Sequence, residues 1–144
     1  MNWALIIAVF IAGCGVSFQA GINGALGRKI GSIEAAFTSF AIGTLILSVI
    51  LLFYRKGNIL GVFEVPKWQL LGGALGAFYV FIMVLAVPRF GIAASLTTLI
   101  VGQLLCSIFI DHYGLIHGNA IPVSLNRVLA IMIMTFALYL FFRK

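Results

Sequence analysis

Long apolar segments alternate with short polar ones along the whole chain. A helix needs about 20 mostly apolar residues to cross the hydrocarbon core of a bilayer. Five segments meet this length, and we predict helices at about residues 3–27, 33–54, 68–87, 92–110 and 125–142. Strands of a membrane β-barrel would have about 10 residues of alternating polarity, whereas these segments are longer and do not alternate. The pattern therefore predicts an all-α integral membrane protein whose single transmembrane domain covers residues 1–144.

Basic residues, prolines, glycines and capping residues mark the predicted helix ends. Residues 88–91 begin with Pro88 and end with Gly91, which predicts a tight turn and an antiparallel hairpin of helices three and four. The other expected boundaries are Arg28 and Lys29, the N-cap Ser32, Arg55 to Gly57, Pro66, residues 111–114, and the N-cap Ser124. His112 and His117 lack the spacing of metal ligands, and they are expected in loops together with Gly118 and Pro122.

The composition also favours a bilayer environment. The chain is 63% hydrophobic and 8% charged, whereas a soluble domain carries about 25% charged residues. So small a domain could not hide this much apolar surface from water. The net charge is +6, but the Lys and Arg residues lie between the apolar segments. They do not form the basic stripe of a nucleic-acid-binding protein, so we expect lipid and no nucleic acid as a partner.

The two cysteines, Cys14 and Cys106, lie inside apolar segments without a CxxC or His-spaced partner, and we expect no metal site. Residues 11–14 match the pattern of a bacterial lipoprotein cleavage site. A signal peptide also needs a basic start, which residues 1–3 lack. We therefore expect two buried thiols and no lipidation.

Lys and Arg are almost equally divided between the two predicted sides of the membrane. One side has Arg28, Lys29, Arg89, Arg143 and Lys144, and the other has Arg55, Lys56, Lys67 and Arg127. The side with more Lys and Arg residues is normally the cytoplasmic one. A difference of one basic residue between the two sides hardly determines the orientation. Either something else fixes the orientation, or the chain inserts both ways and two opposite copies pair.

One face of helix one changes from small to polar residues. Ala8, Ala12, Gly15, Gln19 and Asn23 follow the spacing of a single helical face. The two amides lie at membrane depth, where they must face protein or a watery cavity. Interhelical hydrogen bonding and a substrate or ion path are both open interpretations.

Helix four carries a second polar face, where Gln103, Ser107 and Asp111 step by four. Gln103 lies near mid-helix and is the strongest single candidate for a cavity residue. Asp111 lies near the membrane surface on the same side as Arg127, so a structural ion pair is expected. Helix five has few polar residues and should face lipid or a partner copy.

Glu34 lies in the first turn of helix two, where a carboxylate is stabilised by the helix dipole. It is also a candidate for ion coupling or for pairing with Arg28 or Lys29. Gly72 and Gly76 form a GxxxG pair in helix three, which is typical of tight helix packing.

Several stretches resemble the YdcZ family of small bacterial inner-membrane proteins in the drug/metabolite transporter superfamily. They are residues 19–28 (QAGINGALGR), 35–44 (AAFTSFAIGT), 71–76 (LGGALG), 86–91 (AVPRFG), 102–103 (GQ) and 110–114 (IDHYG). The resemblance implies five helices per unit and members that occur as single dual-topology chains, as paired opposite chains or as fused ten-helix proteins. It also implies transport of a small molecule. The related small multidrug resistance proteins use a glutamate in helix one for proton exchange, whereas Gln19 is the nearest polar residue here.

The leading hypothesis is a secondary transporter that works by alternating access as an antiparallel homodimer of ten helices in the bacterial inner membrane. The expected substrate-binding residues are Gln19, Asn23, Ser39, Tyr79, Thr98 and Gln103, and the candidates for ion coupling are Glu34 and Asp111. A dual-topology channel and a non-transporting membrane subunit or lipid-binding partner are the alternatives. No Ser-His-Asp arrangement, phosphate loop or metal cluster is present, so neither an enzyme nor a cofactor is expected.

Overall fold

The computed structural model describes residues 2–54, 57–116 and 119–143. These residues form helices without any strand, and five of the helices are long and apolar enough to cross a membrane. Their bounds are α1 Trp3–Ile30, α2 Ser32–Phe53, α3 Leu71–Phe90, α4 Ile92–Tyr113 and α5 Leu125–Phe142. The predicted all-α fold with five spanning helices is confirmed. Sequence predictions that involve Met1, Arg55, Lys56, His117, Gly118 and Lys144 lie outside the described residues.

A single glycine separates α1 from α2. Gly31 has φ 104° and ψ 153°, a backbone conformation open essentially to glycine alone. Its N–H donates to the carbonyl of Gly27 and its carbonyl accepts from Ala35, at 3.1 and 3.0 Å. The N-cap of α2 is therefore Gly31 and not Ser32, and α1 continues three residues beyond the expected end at residue 27.

A second glycine joint follows α3. The expected four-residue turn at 88–91 is reduced to Gly91, with φ 84° and ψ 163°, because α3 continues through Pro88 to Phe90. Proline removes one backbone donor but does not end this helix, in keeping with its tolerance in membrane spans. A short 3₁₀-helix, Lys67–Leu70, precedes α3 and replaces the expected α-helical start at residue 68.

The ends of α4 and α5 have distinct caps. Gly114 takes the left-handed conformation. Its N–H donates to the carbonyl of Asp111 at 3.2 Å, and the N–H of Leu115 donates to the carbonyl of Ile110 at 3.1 Å. This glycine cap lets α4 run to Tyr113 rather than to residue 110, and it places Asp111 in the last helical turn. Ser124 caps α5, where its hydroxyl oxygen accepts from the backbone N–H of Arg127 at 3.4 Å.

The chain divides into two compact units, Met1–Arg89 and Phe90–Lys144, within the described residues. The core of the first unit is a cluster of Ala35, Ala36, Val80 and Val84, with Leu26, Tyr79 and Phe81 against it. Glycines of α1 allow α3 to come close: a Cβ on Gly24 would lie 3.1 Å from Cγ1 of Val87. A Cβ on Gly27 would overlap Cγ1 of Val84. In contrast, Gly72 of the GxxxG pair has no neighbour within 4 Å, and Gly76 faces the ring of Phe40.

In the second unit, α4 and α5 form an antiparallel pair. The rings of Phe90 and Phe142 meet edge-on with centroids 5.9 Å apart at one end. Asp111 and Arg127 meet at the other end. No described residue of α5 is buried, so its surface is open to lipid or to another protein.

Candidate functional site

Five hydroxyl groups in the described spans are satisfied by their own helix. The side chains of Thr38, Ser95, Thr97 and Thr98 donate to the carbonyl four residues earlier at 2.7 to 2.9 Å, and Ser17 does so at 3.3 Å. This local bond removes the cost of placing a hydroxyl in lipid. Thr98, which the sequence analysis assigned to substrate binding, is exposed but has this internal partner.

Asn23 is satisfied by a neighbouring helix. Its Nδ2 donates to the Oγ of Ser39 at 3.1 Å, and the residue is only 7% exposed. Two of the predicted site residues are thus in direct contact, one from α1 and one from α2. Of the two interpretations left open for Asn23, the interhelical hydrogen bond is the one present.

Gln19 lies one helical turn before Asn23, but its surroundings differ. Gln19 is exposed, and within the described residues its side chain has no hydrogen-bond partner. It lies inside a 28-residue span, where an amide that meets hydrocarbon leaves its donors and acceptor unsatisfied. An exposed amide in this position is a candidate contact for a polar ligand or for a second chain.

Gln103 has the same character on α4. It is exposed near the middle of the helix and has no partner among the described residues. Ser107, one turn further on, is also exposed, and the described chain gives its hydroxyl no hydrogen bond. The polar face of α4 then ends at Asp111, whose Oδ2 lies 3.7 Å from an Nη1 nitrogen of Arg127. The predicted ion pair is present, and each side chain is 40% exposed.

Glu34 is exposed in the first turn of α2. Its carboxylate folds back over Gly31, so that a Cβ on this glycine would collide with Oε2. The sequence left a pairing of Glu34 with Arg28 or Lys29 open, and within the described residues neither forms an ion pair with it. The backbone explains this result, because α1 continues as a helix through Arg28 and Lys29 and Gly31 turns α2 sharply away.

A family model described as "putative inner membrane exporter, YdcZ" matches residues 4–140. The chain belongs to the YdcZ family. It is therefore a multi-pass inner-membrane protein from a family of exporters, which is not a family of enzymes. No curated protein and no solved structure matches the chain significantly.

The YdcZ-family chain also has an apolar groove that sequence analysis missed. The groove has a volume of about 290 Å³ and is lined by Ile33, Ala36, Phe37, Phe40, Ala77 and Phe81. Four of these residues, at 33, 36, 37 and 40, have the spacing of one helical face. That spacing was a usable signal, but nothing in it separates a groove from an ordinary lipid-facing stripe. Tyr79 lies on α3 between Ala77 and Phe81, and it is half-buried against the core cluster.

The predicted site residues of this YdcZ-family protein fall into two groups. In the first unit, the structure joins Asn23 to Ser39 and places Gln19 one turn away on α1, while Glu34 lies at the Gly31 joint. In the second unit, Thr98, Gln103 and Asp111 follow one another along α4. Each group has one exposed amide at membrane depth that has no partner among the described residues.

Proposed function

We propose that this protein is half of a secondary exporter that two copies in opposite orientation complete. Two copies together would form a ten-helix antiparallel homodimer that works by alternating access. The observation that carries the proposal is the exposed amide of Gln19, for which the described chain offers no partner. Gln103 supports it independently on α4. Amides at this depth are costly against lipid and useful beside a polar substrate.

The sequence supports an opposite rather than a parallel arrangement. Five spans place the termini on opposite sides of the membrane, and the Lys and Arg residues divide five to four between those sides. Two opposite copies would be related by a two-fold axis in the membrane plane. Transporters with inverted repeats build the same symmetry within one chain, with the substrate site near the midplane.

The proposed path is polar without formal charge in its middle. All three acidic residues, Glu34, Glu64 and Asp111, lie at helix ends or in a connection. The proposed substrate contacts are Gln19, Asn23, Ser39, Tyr79, Thr98 and Gln103. A substrate with hydrogen-bonding groups matches these neutral amides and hydroxyls, and Glu34 and Asp111 are the acids available to couple its export to an ion.

A pair of oppositely biased variants tests the arrangement. Replacing Arg55 and Lys56 with Gln leaves two basic residues on one side against five on the other. Replacing Lys29, Arg143 and Lys144 with Gln leaves two basic residues on the side that had five, against four on the other side, so the bias is reversed. Each variant should insert in a single orientation and be inactive alone, whereas their co-expression should restore export. Full activity of either variant alone would contradict the opposite pairing.

A second experiment tests the role of the amides. A ligand is first identified by a thermal-stabilisation screen of the purified protein, and its flux is then measured in proteoliposomes. Gln19→Leu should abolish the flux but retain the fold, whereas Ser17→Ala should leave flux intact because that hydroxyl bonds only to Gly13. Unchanged flux in Gln19→Leu would indicate a packing role. Flux far above any carrier cycle would indicate a channel instead.

A further inference from the structure

The connection between α2 and α3 contains an unusually apolar, ordered element. The sequence suggested only a short polar stretch here, but Ile59–Phe63 forms a 3₁₀-helix with the sequence ILGVF. Asn58 fixes its start, because the Oδ1 of this residue accepts a hydrogen bond of 3.1 Å from the N–H of Leu60. A capped helix is a defined shape and not a flexible linker.

The side chains of this element are among the most exposed apolar groups of the described chain. Phe63 is 85% exposed, Ile59 is 68% exposed and Leu60 is 66% exposed. A crevice of about 510 Å³ lies between the element and the end of α2, lined by Leu51, Tyr54, Gly57, Asn58 and Ile59. The 3₁₀-helix is therefore not packed down onto the helix that precedes it.

Its position along the chain restricts what can cover these side chains. α2 ends at Phe53 and α3 begins at Leu71, so both ends of the connection are joined directly to membrane spans. Ile59 follows the end of α2 by six residues, which span at most about 20 Å even when fully extended. The element is therefore tethered within about 20 Å of the end of a membrane span.

The residue types on either side match the boundary where the polar head-group region meets the acyl chains. Tyr54 and Trp68 are both exposed, and such amphipathic rings are enriched at the membrane–water interface. Glu64 follows the apolar element directly, Lys67 comes three residues later, and both are exposed. An apolar face with polar residues at its end is the composition of a segment that lies in the interface rather than across the membrane.

From this arrangement we infer that Ile59–Phe63 and Trp68 form an interfacial membrane anchor, whose apolar side chains enter the lipid at the head-group boundary. The partner is the lipid surface, because the chain enters a membrane span shortly before and shortly after the anchor. This inference concerns one chain and does not depend on pairing of two copies.

Tryptophan fluorescence tests the anchor with little change to the protein. The chain has two tryptophans, Trp3 and Trp68, so Trp3→Phe leaves a single reporter next to the element. A second reporter is Phe63→Trp in the Trp3→Phe, Trp68→Phe background. Each protein is reconstituted into phosphatidylcholine–phosphatidylglycerol vesicles that contain lipids brominated at a shallow or a deep acyl position. Tryptophan octyl ester in protein-free vesicles calibrates an interfacial depth.

For an anchor about 5–10 Å below the head groups, we expect shallow bromines to quench at least about twofold more strongly than deep ones, and aqueous iodide to quench weakly. Strong iodide quenching without any effect of bromine would place the element in water. Quenching by neither agent would mean that protein covers it, as a second copy could. Stronger quenching by the deep bromines would place it inside the acyl region. Each of these three results would overturn the inference.

Discussion

The Nδ2 of Asn23 donates a hydrogen bond of 3.1 Å to the Oγ of Ser39, and this bond joins the C-terminal half of α1 to α2. Gly31 lies halfway between the two residues, so the two helices run antiparallel away from that joint. Gln19, one turn further from the joint, shares the helical face of Asn23 but remains exposed. The polar face of α1 thus divides into one amide that is bonded to α2 and one amide that has no partner among the described residues.

Removing the acceptor of this bond should destabilise the protein. We expect Ser39→Ala to lower the free energy of unfolding by about 1–2 kcal/mol, because the buried amide of Asn23 then lacks its partner. A double-mutant cycle with Asn23→Ala, measured by denaturation in mixed micelles, isolates the pair. Thr38→Val is the control, since that hydroxyl bonds only to Glu34 of its own helix. A coupling energy near zero would show that the bond contributes nothing.

The two glycine joints should not tolerate a side chain. Gly31→Ala and Gly91→Ala each force an L-residue into a conformation that costs about 1–3 kcal/mol. The two losses should be similar, because the Glu34 carboxylate that a methyl group on residue 31 would meet is the far end of an exposed, flexible side chain and can move aside, and Gly91 has free space. Thermal unfolding of the purified variants measures both losses.

Gly114→Asn is the matched control for these joints. Gly114 has φ 60° and ψ 29°, a left-handed conformation that asparagine adopts with little cost. We expect this variant to keep most of the stability that the Gly31 and Gly91 variants lose. Equal losses in all three would mean that backbone conformation is not the cause.

The contact of α1 with α3 depends on the absence of a side chain at Gly27. Gly27→Ala places a methyl group against Cγ1 of Val84, and we expect a loss of about 1–3 kcal/mol from overpacking. Adding Val84→Ala should recover part of this loss, because the two changes act on one contact. Denaturation of both single variants and the double variant measures the recovery. Gly72→Ala, with no neighbour within 4 Å, should be neutral or slightly stabilising.

The physics of each feature decides whether the sequence could predict it. The five spans were predictable, because lipid requires long apolar segments and this requirement is local. The joints at Gly31 and Gly91 were not, because a glycine permits the Gly-only conformation without requiring it. Gln19 and Asn23 look alike in sequence, and only the position of Ser39 on α2 distinguishes them. The apolar groove depends on the distance between α2 and α3, which no spacing along one helix specifies.

The ion pair between Asp111 and Arg127 should contribute little to stability. Its atoms lie 3.7 Å apart, and each side chain is 40% exposed. Pairs of this kind contribute roughly 0–1 kcal/mol, so Asp111→Asn and Arg127→Gln should each lower stability by less than about 1 kcal/mol. Denaturation at low and high salt measures the effect, which should shrink as salt rises. A larger, salt-independent loss would mean that the pair is shielded from solvent in the working assembly.

Ion coupling should depend on Glu34 more than on Asp111. The Glu34 carboxylate is exposed and has no cationic partner within the described residues, so an ion can approach it, whereas Asp111 is paired with Arg127. We expect Glu34→Gln to abolish export driven by a pH or sodium gradient and to spare the equilibrium exchange of labelled ligand across the proteoliposome membrane. Glutamine has nearly the size of glutamate, so a general packing defect would not produce this separation. Asp111→Asn is the matched control and should retain gradient-driven export. If Glu34→Gln exports at the rate of the unaltered protein, coupling does not involve this carboxylate.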